Sequence, residues 1–91
     1  MPWIIDKDHV GEHTAKPGTN LNAVGLTGPG GYKGDSRELT VKFRMRDDDN
    51  ELYYEGRAHE EYFGPLDDFG TPNAGATTIQ YLDEKGEWKD L

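Results

Sequence analysis

The sequence predicts an all-β protein, a small antiparallel sheet rolled into an open barrel of about five strands. Three observations predict this class. Residues 39–46 alternate apolar and polar side chains, as a strand with one buried and one solvated face does. Residues 51–58 repeat the alternation after the turn-forming letters DDDN. Glycines and prolines interrupt every helical period in 11–34 and 61–76.

The strands are expected near 3–7, 38–46, 51–59, 77–82 and 87–90. The first contains the apolar run Trp3-Ile4-Ile5, which would be exposed outside a sheet. The last two form a hairpin around the letters DEKG, and the turn leaves two registers open. A simple turn places Tyr81 opposite Trp88. A glycine bulge places Leu82 opposite Trp88 and Ile79 opposite Leu91, and either register is expected to bury the tryptophan.

The central hairpin has a predicted register, obtained by centring its turn between Asp48 and Asp49. This register places apolar or small residues opposite one another on one face: Met45 and Leu52, Phe43 and Tyr54, Val41 and Gly56, Leu39 and Ala58. On the other face it predicts the pairs Arg46 and Glu51, Arg44 and Tyr53, Lys42 and Glu55, Thr40 and Arg57. The hairpin therefore predicts two opposite-charge pairs and one guanidinium against a phenol ring.

Two long connections separate these strands. Residues 11–34 contain seven glycines and two prolines, and connections of this length in small domains are commonly functional or disordered. Within it, 22–27 is interpreted as a short strand or as a plug against the core. Residues 61–76 place four large apolar side chains among glycines and prolines, which predicts an irregular loop packed on the sheet.

Length and composition indicate one small domain, residues 1–91, with a lean core of 33% apolar residues that includes ten aromatic side chains. The chain has no cysteine, which excludes disulfides and thiolate metal sites. No apolar run reaches the roughly 18–20 residues that span a bilayer, and the acidic start does not match a signal peptide. The cytoplasm is the expected location.

The net charge of −8 is unevenly placed along the chain. Residues 1–46 sum to +2 and residues 47–91 to −10. This imbalance disfavours direct contact with nucleic acid and favours either a partner protein with a basic surface or a role in solubility alone.

Two clusters have the residue types of metal sites. The run Asp47-Asp48-Asp49-Asn50-Glu51 concentrates hard oxygen ligands, but it lacks the glycine and the twelfth-position glutamate of a calcium loop. Asp6, Asp8, His9 and His13 lie near one another in sequence without a helix to align them. Turn formation explains the first cluster better, and solvation of polar residues beside a strand explains the second. No metal or cofactor is expected.

Catalytic groups are scarce. Ser36 is the only serine and lies outside any nucleophile motif, and adjacent carboxylates on a strand point to opposite faces. The glycine-rich run 28–34 is not followed by the helix and the Ser or Thr of a phosphate loop. The sequence contains no positive indication of an enzyme.

The function predicted first is a small, acidic, non-enzymatic protein-interaction module that recognises its partner through its long loops. The binding residues are expected to be Tyr62, Phe63, Phe69, Asp67, Asp68, Asp48 and Glu60. The alternative is a DNA mimic, whose carboxylates imitate phosphates and inhibit a nucleic-acid-binding or defence protein. A third interpretation is a small hydrolase or ligand-binding domain. No membrane contact is expected, and the sequence does not indicate an oligomeric state.

Overall fold

The structure, a computed structural model, describes residues 2–10, 23–30 and 34–91. In these ranges the chain forms one antiparallel sheet of six strands, which confirms the mainly-β class. The strands are β1 (Trp3–Asp8), β2 (Thr27–Gly28), β3 (Val41–Arg46), β4 (Leu52–Ala58), β5 (Thr78–Leu82) and β6 (Trp88–Asp90). Their order across the sheet is β2-β1-β4-β3-β5-β6, so β2 and β6 are its edges and the sheet stays open.

The five predicted strands are all present, with ends within three residues of the predicted ones. The sixth strand, β2, comes from the long glycine-rich connection, where Gly28 pairs with Trp3 and Thr27 with Ile4. Gly28 fits this edge because a β-carbon there would lie 2.3 Å from the Trp3 indole ring. The prediction of a loop also covers residues 11–22 and 31–33 of this connection, which lie outside the described residues.

The predicted register of the central hairpin is wrong by two residues. Phe43 pairs with Gly56 rather than Tyr54, and Lys42 pairs with Arg57 rather than Glu55. Glu55 instead faces Arg44. For the pairs from Val41 to Met45, a shift of two residues keeps each side chain on its own face of the sheet, so the alternation of apolar residues does not distinguish the two registers.

The cause of the shift is a turn longer than the predicted one. The Asp47 carboxylate accepts hydrogen bonds from the backbone N–H groups of Asp49 and Glu51, both at 2.9 Å. Asn50 then adopts a φ of 65°, a left-handed conformation that asparagine tolerates better than most residues. The register also shifts between Met45 and Arg46.

The C-terminal hairpin uses the same turn. The Asp83 carboxylate accepts from the N–H groups of Lys85 and Glu87, and Gly86 takes the left-handed position at φ 80°. Leu82 pairs with Trp88, which confirms the glycine-bulge register. The pattern Asp-x-x-(Asn or Gly)-Glu thus marks the turns of the β3–β4 and β5–β6 hairpins.

Trp88 is not buried in the core, contrary to the prediction. Its side chain is half-buried on the opposite face of the sheet, where the Arg44 guanidinium lies 4.3 Å from its ring centroid. The predicted contact of Arg44 with Tyr53 is replaced by this one. Tyr53 is itself buried, 5% exposed, and its ring meets that of Tyr54 edge-on.

The core lies on one face of the sheet. Its strand residues include Trp3, Ile5, Phe43, Met45, Tyr54, Ala58, Ile79 and Tyr81, all less than 5% exposed. The opposite face, named the open face, carries polar side chains and Trp88.

A helical segment, residues 66–74, covers the core face. The prediction that 61–76 is an irregular loop is therefore wrong for these residues. A π-helix, Leu66–Gly70, continues directly into the α-helix α1, Thr71–Ala74. The expectation that this segment packs on the sheet is confirmed by buried Leu66 and Ala74. Gly70 does not end the helical segment. It allows the segment to lie close to β3, because a β-carbon at this position would lie 2.5 Å from the Met45 sulfur.

Asp6 and Arg57 form a charged pair that links β1 with β4. Arg57 Nε and Nη2 donate to the two Asp6 carboxylate oxygens at 2.8 and 3.0 Å. Because both side chains are partly exposed, we expect a double-mutant cycle with Asp6→Asn and Arg57→Gln to give a coupling of about 0.5–1 kcal/mol in urea unfolding. The same cycle on Lys42 and Glu55, which are not direct cross-strand partners in the observed register, should give a smaller coupling, and an equal or larger one would contradict that register.

Two buried tyrosines make stability depend on alkaline pH. Burial raises the pKa of Tyr54 to about 12 and also raises the pKa of Tyr81. Unfolded phenols titrate near 10, so the folded state holds these protons more tightly and its stability declines as pH rises from about 10 towards 12. We expect the melting temperature to fall over that range. Tyr54→Phe should flatten the fall, and a profile parallel to the parent's would contradict this assignment.

Candidate functional site

The candidate site is the acidic segment, defined as residues 59–69, which leaves the end of β4 and enters the π-helix. Glu60, Glu61, Asp67 and Asp68 are all exposed in it. Phe63 lies between these two acidic pairs with 49% of its surface exposed. The Asp67 N–H donates to the Phe63 carbonyl at 2.9 Å, which fixes the backbone of Phe63 against the start of the helical region.

Tyr62 anchors this segment to the sheet. The Tyr81 hydroxyl donates to the Tyr62 carbonyl at 2.9 Å, and the Tyr62 ring lies against Gly64, where a β-carbon would clash at 2.2 Å. Burial raises the pKa of Tyr62, and the negative charges of Asp68 and Glu60 raise it further. Three of the sequence-predicted residues, Glu60, Tyr62 and Asp68, are therefore brought together.

Phe69 lies on the inner side of the same segment. Its ring centroid is 4.9 Å from that of Tyr54 and 5.6 Å from that of Trp3. The Trp3 indole N–H donates to Asp68 at 3.4 Å. Phe69 thus joins the segment to the core, whereas Phe63 faces solvent.

Asp48 is apart from the other sequence-predicted residues. It lies in the β3–β4 turn, whereas the acidic segment begins at the opposite end of β4. The seven residues of β4 separate the two by roughly 20 Å.

The acidic segment is extended by Asp83 and Glu84, which are not among the binding residues predicted for the interaction module. Glu61 lines a shallow groove of about 440 Å³ together with Asp83 and Glu84, beside Lys85 and Lys89. The pairing of β3 with β5 brings the end of β5 beside the end of β4. Residues 58–84 contain no Lys or Arg, which makes them the longest such interval within residues 47–91. This interval is the sequence signal for the acidic surface.

Within the described ranges, Glu60, Glu61, Asp67 and Asp68 form no salt bridge. Asp83 differs from them, because Lys89 Nζ lies 3.2 Å from its carboxylate. The acidic segment therefore presents negative charge that cations of the described chain leave uncompensated.

The residues considered for metal binding have other contacts. Asp47 accepts from backbone groups of its own turn, and Asp6 binds Arg57. Asp8 accepts from the N–H groups of Val10 and Ala23, and His9 Nε2 lies 2.9 Å from Glu55. His13 lies outside the described residues. Across residues 2–10, 23–30 and 34–91, no three His, Cys, Asp or Glu side chains are grouped as metal ligands would be.

The open face carries a second feature that the sequence analysis missed, a cleft of about 300 Å³. Its lining is Asp6, Lys7, Lys42, Phe43, Glu55, Gly56, Arg57, Leu82 and Trp88. These residues come from five strands and converge only through the sheet order, so no spacing in the sequence marks them.

Comparison of the chain with protein-family models, with curated proteins and with solved structures finds no match. Among the described residues, no helix combines the length and the apolarity needed to cross a membrane.

Proposed function

We propose that this protein is a non-enzymatic interaction module that binds a basic surface of a partner protein through its acidic segment. The observation that carries the proposal is the position of Phe63. This large apolar side chain is 49% exposed, and in the sequence it lies between two pairs of exposed carboxylates.

The two kinds of residue have complementary roles. An exposed aromatic side chain contributes to affinity by entering a pocket on the partner, because aromatic anchors dominate interface energies. Carboxylates around it attract a basic surface and raise the association rate, while contributing less to the final affinity.

The segment is also pre-organised. Tyr62 is tied to Tyr81 through its carbonyl, and Phe69 stacks on Tyr54 and Trp3 on the inner side. A segment already held in position loses less conformational entropy on binding, which favours affinity.

The alternative, a DNA mimic, receives less support from the geometry. The acidic turns 47–51 and 83–87 lie at opposite ends of the sheet. The open face between them carries Lys42, Arg44 and Arg46, whose charge opposes a continuous phosphate-like array.

Affinity capture from the source cells, with the protein as bait at low and high salt, tests the proposal. A captured protein should be purified and its affinity for four variants measured. We expect Phe63→Ala to weaken binding about tenfold or more. The matched control is Val24→Ala, which also truncates an exposed apolar side chain, 58% exposed, outside the segment.

Charge-reversal variants distinguish the interaction-module hypothesis from the DNA-mimic hypothesis. Asp67→Lys should slow association and reduce its salt dependence, whereas Asp48→Lys in the distant turn should change it little. A mimic predicts comparable losses from both reversals and no loss from Phe63→Ala. That second pattern would overturn the proposal, provided that every variant melts cooperatively near the parent temperature.

A further inference from the structure

We propose that the cleft on the open face binds a small organic monoanion, a carboxylate with a flat apolar body. The cleft volume of about 300 Å³ is near the lower limit of pockets that hold small ligands. No residue of the acidic segment lines this cleft, so the inference does not depend on the function proposed above.

The charges of the lining residues favour an anion as the ligand. Arg57 is neutralised within the lining by Asp6, at 2.8 Å, and Glu55 makes its hydrogen bond with His9. In the part of the chain that the structure describes, Lys7 and Lys42 have no ion-pair partner, and both side chains are exposed. Two unpaired ammonium groups beside one carboxylate favour a single negative charge, since the carboxylate of Glu55 opposes a second one.

The apolar residues that line the cleft favour a ligand with a flat apolar body. Trp88 and Leu82 are cross-strand partners on the open face, and both line the cleft. The Arg44 guanidinium contacts the Trp88 ring, and Arg44 Nε donates to Gln80 at 2.6 Å. These contacts hold the indole in place, so a flat apolar group meets a wall that is already positioned.

Benzoate is the probe, and its uncharged counterpart benzamide has nearly the same shape. In amide NMR titrations we expect benzoate to give saturable shifts at residues 41–44, 55–57 and 88. Benzamide should bind about three- to tenfold more weakly, because it lacks the charge that the two lysines attract.

Variants assign the effect to the cleft. Lys42→Gln should weaken benzoate binding about three- to tenfold, whereas the matched Lys85→Gln, in the β5–β6 turn outside the cleft, should not. Trp88→Leu should weaken benzoate and benzamide together. A ligand-free spectrum that differs from the parent's only near the substituted residue shows that the fold is retained.

Three outcomes would overturn the proposal. One is equal binding of benzoate and benzamide, which indicates apolar adhesion alone. Another is equal loss from Lys42→Gln and Lys85→Gln, which indicates a general electrostatic effect. The third is the absence of saturation below about 10 mM, weaker than a specific site of this size requires.

Discussion

Gly56→Ala is expected to destabilise the protein by about 3 kcal/mol or more, a large part of the stability of so small a domain. Gly56 lies in β4, between β1 and β3. A β-carbon at this position would lie 2.1 Å from the Ile4 carbonyl oxygen and 2.6 Å from the Phe43 ring. A side chain can rotate away, but the Ile4 carbonyl belongs to the backbone of β1, so the strand itself must move.

Gly25→Ala is the control that separates crowding from backbone strain. Gly25 has a φ of 90°, and a β-carbon added there would meet no atom within 4 Å. Its substitution should cost only about 1–2 kcal/mol, through the left-handed conformation. Urea unfolding of both variants measures the difference. If the two substitutions cost the same, the close packing of β1 on β4 at Gly56 would be disproved.

The faces of the sheet were predictable from sequence, but the partners across it were not. Alternation in 39–46 and 51–58 assigns Phe43 and Tyr54 to the core face in any register shifted by an even number of residues. The register depends on the turn, where Asp47 binds two backbone N–H groups and Asn50 takes a left-handed conformation. Such turn chemistry is recognisable in retrospect, because Asp83 and Gly86 repeat it.

The helical segment was not predictable from local propensity. Gly70 and Pro72 both disfavour a helix interior, and the π-helix and α1 are each too short to be stable alone. Contact with the sheet stabilises them instead, since Gly70 lies against Met45 and the Asn73 amide donates to the Tyr54 hydroxyl at 2.6 Å. Tertiary contacts of this kind leave no periodic signal in the sequence.

The candidate site, too, was only partly predictable from the sequence. Exposure of the acidic residues in 59–69 follows from their charge and was predictable. Phe63 and Phe69 are the same residue type and each precedes a glycine, and the packing of the helical segment turns one outward and the other inward. The cleft required the sheet order, which no local pattern specifies.

Phe69→Ala is therefore expected to destabilise the protein by about 2–4 kcal/mol, somewhat less than a fully buried phenylalanine because the ring is partly exposed. The substitution removes the contacts with Trp3 and Tyr54 and leaves a cavity between the helical segment and β1. Urea unfolding should show a lower midpoint with an unchanged slope, since the folded state stays compact.

Phe63→Ala is the matched control, with the same side chain removed from the same segment. Because the Phe63 ring is 49% exposed, its loss should change the unfolding free energy by less than about 0.5 kcal/mol. Phe69→Leu should recover more than half of the loss in Phe69→Ala, because leucine refills most of the cavity. Equal stabilities for Phe63→Ala and Phe69→Ala would mean that the helical segment does not pack on Trp3 and Tyr54, and the scaffold proposed for the interaction surface would be wrong.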